Sequence, residues 1–129
     1  MGYTLGRKSR SKLKGVHPDL VAVVERAIEL TEQDFTVLEG LRTEERQRQL
    51  VAEGKSWTMN SRHLTGHAVD LAPWPISWEW GPFYVIEKAM KKAAKELDIP
   101  IEWGGDWKKT KDGPHWQLPH RQYPKPRKK

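Results

Sequence analysis

The chain has 129 residues, no cysteine, 36% hydrophobic and 31% charged residues, and a formal charge of +6. That length supports one domain, residues 1–129, around one modest core. The missing thiols exclude a disulfide framework and a thiolate metal site, so a bound zinc would need His and carboxylate ligands, while seven tryptophans argue against disorder.

Residues 1–14 carry Arg7, Lys8, Arg10, Lys12 and Lys14 and no acid; residues 121–129 carry Arg121, Lys125, Arg127, Lys128 and Lys129 and no acid. Between these ends 13 basic residues face 17 acidic ones, so the basicity belongs to the ends and not to a groove. Such ends suit attraction to an anionic polymer of the envelope or to nucleic acid, or else solvated, fraying tails. Met1 to Lys14 lacks the apolar stretch of a Sec signal peptide, which implies synthesis in the host cytoplasm. The longest apolar run is far short of a membrane span.

His17-Pro18-Asp19-Leu20 opens a helix with proline in its first turn, and Leu20, Val23, Val24, Ala27 and Ile28 form an apolar face up to about Leu30. Asp34 to Leu41 reads as a strand with Phe35, Val37 and Leu41 on one side. Thr43 caps a second helix, Glu44 to Glu53, that stops at Gly54. Lys55 to Gly66 shows no period and reads as a loop. Ala68 to Ala72 is a short strand, and Trp74 to Trp80 an aromatic, proline-broken connection. From Pro82 to Asp98 the apolar residues recur at helical spacing until Pro100. Ile101–Trp103 and His115–Leu118 are short strands around a Gly- and Lys-rich turn. This order predicts an α+β domain with a small, mostly antiparallel sheet flanked by helices.

On the strand 68–72, Val69 and Leu71 alternate with Asp70, and on 115–118, Trp116 and Leu118 alternate with His115 and Gln117. Two strands that each bury an apolar side and present one metal-capable side chain can converge on an ion, with His63 in the preceding turn as a third ligand. Two imidazoles and one carboxylate suit zinc and leave a position for water. By spacing alone, a surface histidine and a salt-bridged aspartate fit equally well. His67 stands four residues after His63, but no Glu follows His63 and Gly66 interrupts the segment, so the pair does not read as HExxH. His67 is expected partly exposed near the cleft, in a ligand-supporting or substrate-binding role. Ser61 is read as a residue that orients a ligand, binds substrate or simply closes a turn. Trp103, Trp107 and Trp116 are expected in the core, with cleft lining as the alternative.

The motif SxHxxGxAxD at Ser61–Asp70, followed by DxxH at Asp112–His115, resembles the zinc D-Ala-D-Ala peptidase group. That group includes VanX- and VanY-like enzymes and the phage L-alanyl-D-glutamate endopeptidases. Three more stretches resemble the phage endolysin branch: Val16–Leu20, Gly40-Leu41-Arg42-Thr43, and Trp103–Trp107. The resemblance covers about residues 9–123. It implies the Hedgehog/D-Ala-D-Ala peptidase-like fold, one Zn2+ ion on His63, Asp70 and His115, Asp112 as the catalytic carboxylate, and Arg42 as the substrate- and transition-state-binding arginine. Several members of the group carry Glu where this chain has Asp112. Asp106, after Gly104-Gly105, is the rival base and is read as capping that turn.

The reading that follows is a peptidoglycan endopeptidase cutting stem peptides between L-Ala and D-Glu, held by its basic ends to an anionic envelope and acting as a monomer on the cell wall after release. A D-Ala-D-Ala carboxypeptidase or dipeptidase is the enzymatic alternative. A basic nucleic-acid-binding module is the alternative of another class, but acids dominate residues 15–120 and no recognised binding motif appears, so no nucleic acid is expected as partner.

Overall fold

The computed structural model describes residues 2–56 and 58–125. Its elements in chain order are α1 (Arg7–Lys12), α2 (Pro18–Leu30), β1 (Phe35–Glu39), α3 (Glu44–Ala52), β2 (Ala68–Pro73), α4 (Trp80–Leu97), β3 (Glu102–Trp103) and β4 (His115–Gln117). Two 3-10 turns, Arg62–Thr65 and Gly104–Asp106, complete the set.

The strands form one antiparallel sheet in the order β1-β2-β4-β3. Its period of two sorts the side chains. Val37, Leu71, Val69, Trp116 and Trp103 fall on the face that meets the core, where Trp103 stacks on Trp116 with centroids 5.6 Å apart. Leu20, Val23, Val24, Ala27 and Ile28 of α2, and Phe83, Ile86, Met90 and Ala93 of α4, supply the rest of that core. The opposite face carries Glu39, Asp70 and His115 in one row across β1, β2 and β4.

Local signals act as expected at most boundaries. Thr43 Oγ1 accepts the Arg46 N–H at 3.1 Å and starts α3. Pro18 sits at the first position of α2, where its missing N–H costs nothing, and His17 Nδ1 accepts the Asp19 N–H at 3.1 Å. Helix α4 begins two residues before Pro82 and ends at Leu97, with Asp98 left-handed at φ 56°.

Three expectations need correction. Residues 7–12 are not a fraying tail: α1 lies along the edge strand β1, with Ser9 buried and Leu5 and Leu13 in the core. The Ser9 hydroxyl accepts the Val37 N–H at 3.0 Å and bonds Thr36 Oγ1 at 3.0 Å, which blunts an otherwise open sheet edge. The basic side chains of this segment stay exposed. Leu41 is exposed rather than part of the buried stripe, because the register of β1 shifts between Val37 and Glu39 and the strand stops there. The loop 55–66 also contains structure, since Ser61 Oγ accepts the His63 N–H at 3.2 Å and caps the turn Arg62–Thr65.

At the other end, buried Arg62 donates from Nη2 to the carbonyls of Leu118 (2.6 Å) and Tyr123 (2.9 Å), and Tyr123 Oη donates to Asp19 at 2.7 Å. The segment through Tyr123 is thereby tied to the body. The basic residues Arg127, Lys128 and Lys129 lie outside the described residues.

Candidate metal centre and active site

Asp70 and His115 are directly opposite one another in the β2–β4 ladder, so their side chains leave the same face a few ångströms apart. His63 reaches the same point from the turn that precedes β2. Gly66 makes this return possible: it ends the turn at φ 76°, and a Cβ there would collide with the Gly15 carbonyl oxygen. His63 Nε2 lies 3.2 Å and His115 Nδ1 3.3 Å from the same oxygen, Asp70 Oδ1. One ligand atom from each of the three residues lies within 4.8 Å of the others.

The outer nitrogens are spoken for. His63 Nδ1–H donates to the Gly40 carbonyl at 2.8 Å, and His115 Nε2–H donates to Gln117 Oε1 at 2.8 Å. The inner nitrogens and the carboxylate oxygen therefore turn lone pairs toward a common centre, an arrangement that calls for a positive charge among them. A divalent cation answers that need, and the donor set fits it: two neutral imidazoles and one carboxylate. Burial works against the Asp70 charge, but the His115 and His63 rings beside it hold its carboxyl below the usual range. Burial likewise opposes charge on His115, yet the Asp70 partner draws its pKa up.

The centre opens on a cleft of about 900 Å³, whose walls include Arg42, Ser61, Trp107, Asp112, Gln117 and His120. Asp112 approaches from the loop ahead of β4. The Asp112 N–H donates to the Gly104 carbonyl at 3.0 Å and the His115 N–H to the Asp112 carbonyl at 3.2 Å. Gly104 permits this fold-back, since a Cβ there would strike the Asp112 carbonyl oxygen and lie 3.1 Å from His115 Cβ. Burial, then the charge of Asp70, pushes the Asp112 carboxyl above its ordinary value.

Arg42 leaves the bulged end of β1. Its guanidinium bonds Glu39 through Nε at 3.0 Å and again through Nη2, and donates from Nη1 to Gln47 Oε1 at 2.7 Å. Gln47 is fully buried, held in turn by the Thr58 carbonyl at 2.6 Å and Ser56 Oγ at 2.9 Å. Arg42 thus sits in a rigid frame beside the row Glu39–Asp70–His115. Ser61 serves that frame from the other side, 3.5 Å from Nη1.

Two sequence candidates fall elsewhere. His67 is buried and is not among the residues that line the cleft; its ring contacts Thr65 Oγ1 at 2.6 Å and packs 5.7 Å from His17. Burial there, together with the nearby Arg62 charge, depresses its pKa from 6.5 to about 4. Asp106 points away to Lys91, 2.8 Å from its Nζ, on the exposed surface, and does not line the cleft either. Of the tryptophans, Trp103 and Trp116 belong to the core, while Trp107 lines the cleft with its ring 5.1 Å from that of His115. Sequence reasoning missed Glu39, Gln47, Gln117 and Glu102 as supporting residues. Alternation on β4 does place Gln117 beside His115, a signal that was there to be used.

A model of the phage L-alanyl-D-glutamate peptidase family matches residues 1–118. The L-alanyl-D-glutamate peptidase of Escherichia phage T5 is 37% identical over 119 residues, covering 87% of each chain. That of Listeria phage A118 is 39% identical over 91 residues, 70% of this chain and 32% of the longer phage protein. Among solved structures, the Serratia marcescens L-Ala D-Glu endopeptidase ChiX has 48% sequence identity and a TM-score of 0.90, covering 97% of this chain and 95% of its own. With the sheet, the His-Asp-His centre and the matched length in agreement, the chain belongs to the phage L-alanyl-D-glutamate peptidase family.

Proposed function

We propose that this chain hydrolyses the L-Ala–D-Glu bond of peptidoglycan stem peptides, using one zinc ion held by His63, Asp70 and His115. The observation that carries the reading is the convergence of those three ligand atoms beside the half-buried carboxylate of Asp112 and a braced arginine in one cleft. When bound, zinc supplies a Lewis acid and lowers the pKa of water toward about 7.

The chain's own residues do the rest. Asp112, three residues before His115, takes the proton from the attacking water and delivers it to the leaving amine. Arg42 stabilises the oxyanion that develops on the attacked carbonyl, and its clamp to Glu39 and Gln47 means that little reorganisation is needed when that charge appears. Trp107 offers an apolar wall to the cleft beside His115.

No helix of the described residues is long and apolar enough to cross a membrane. The reading completes itself with a monomer that reaches the wall after release from the cytoplasm, its exposed basic residues favouring an anionic envelope.

Digestion of purified sacculi followed by mass spectrometry of the muropeptides tests the proposal. New N-terminal D-Glu that disappears with a chelator is expected. Release of free D-Ala instead would transfer the chain to the D-Ala-D-Ala carboxypeptidase reading, and intact sacculi would refute the activity.

A further inference from the structure

The two histidines of the centre are held in their tautomers by different means. His63 Nδ1 faces the main-chain carbonyl of Gly40 at 2.8 Å, and a carbonyl only accepts. The proton of His63 is therefore fixed on Nδ1 by the backbone, leaving Nε2 for the ion. His115 has no such guarantee. Its outer nitrogen, Nε2, meets the side-chain amide of Gln117 at 2.8 Å, and an amide carries an acceptor at one end and donors at the other.

Rotating that amide by half a turn exchanges the two ends. With oxygen toward the ring, His115 donates from Nε2–H and Nδ1 keeps its lone pair for the metal. With nitrogen toward the ring, Nε2 must accept, the proton moves to Nδ1, and the atom beside Asp70 Oδ1 can no longer coordinate an ion. Glu102 decides between them. It pairs with Gln117 across the β3–β4 ladder, and its Oε1 accepts the Gln117 Nε2–H at 2.9 Å. A carboxylate offers no proton, so it demands the nitrogen end of the amide and turns the oxygen end to His115.

We propose that Glu102 and Gln117 act as positioning residues, a one-way hydrogen-bond chain that selects the metal-binding tautomer of His115. The inference rests on the metal centre assigned above but not on which peptide bond is cut. Glu102 is exposed, so its replacement leaves the core intact.

Zinc affinity, measured by competition with a chromogenic chelator, separates the outcomes for E102K and for E102K/Q117E. The introduced lysine donates to the amide oxygen and favours the wrong rotamer. E102K should bind zinc on the order of 10–100-fold more weakly, the range found when such supporting partners are lost. In the double variant the introduced carboxylate accepts from His115 and pairs with the lysine, so affinity should recover most of that loss. Nitrogen-15 NMR of the chelated proteins, at a pH where the ring is neutral, should find the His115 proton on Nε2 in the wild type and on Nδ1 in E102K. An added surface charge alone would not move that proton. Zinc affinity in E102K equal to wild type, no recovery in the double variant, or an unchanged tautomer would each overturn the proposal. Failure of the peptide-bond assignment would leave all three readings untouched.

Discussion

Replacing Asp112 by alanine removes a carboxylate from the cleft but no metal ligand. Asp112→Ala is therefore expected to keep its metal and its fold while kcat falls on the order of 10²–10⁴-fold, the usual worth of a positioned acid–base group. His63→Ala should lose the metal itself; metal analysis beside steady-state kinetics distinguishes the two. Full activity in Asp112→Ala would return Asp106 to consideration despite its pairing with Lys91. A second residue-scale expectation concerns stability. The His67 pKa is depressed in the fold to about 4 from 6.5, so between those values the unfolded chain binds the proton and the native chain does not. Stability conferred by neutral His67 is present above about 6.5 and is lost as the pH falls toward about 4. Denaturant titrations of the chelated protein should show that decline, and His67→Gln should flatten it relative to wild type.

Secondary elements meet the site through their ends and edges. Helix α1 has only six residues, too few to be stable alone, and exists because Leu5, Ser9 and Leu13 dock while the rest stays in water. Its Ser9 hydroxyl satisfies the Val37 N–H on the edge strand. Ser9→Ala leaves that buried donor unpaired and should cost about 1–3 kcal/mol in equilibrium unfolding, with little effect on kcat because Ser9 does not line the cleft. The same segment shows where sequence patterning runs out. Five basic residues among fourteen read as a solvated end, and three inward positions are too few to establish a helical period. By contrast, α2 and α4 were legible, since each repeats its apolar face over several turns.

At the scale of the whole molecule, the centre joins a turn, β2 and β4 around one point. An ion held there ties together chain segments 52 residues apart at His63 and His115. Chelation should accordingly lower the thermal midpoint by several degrees, since a ligand present at about a hundred times its Kd stabilises by about 2.7 kcal/mol. Calorimetry with and without chelator checks this, and His63→Ala should show no chelator effect.

The sequence by itself determined the α+β class, the order of the strands along the chain and which residue types were available to bind a metal. Strand alternation also separated Asp70 and His115 from their apolar neighbours, because a period of two needs no knowledge of the rest of the fold. Only tertiary structure decided that β2 and β4 are neighbours in a register that sets Asp70 against His115. It likewise sent His67 and Asp106 away from the cleft, set Glu39 in its wall, braced Arg42 with Gln47 and paired Glu102 with Gln117. Those assignments depend on which segments meet, and contacts between distant parts of a chain are set by the packing of the whole core rather than by any local pattern.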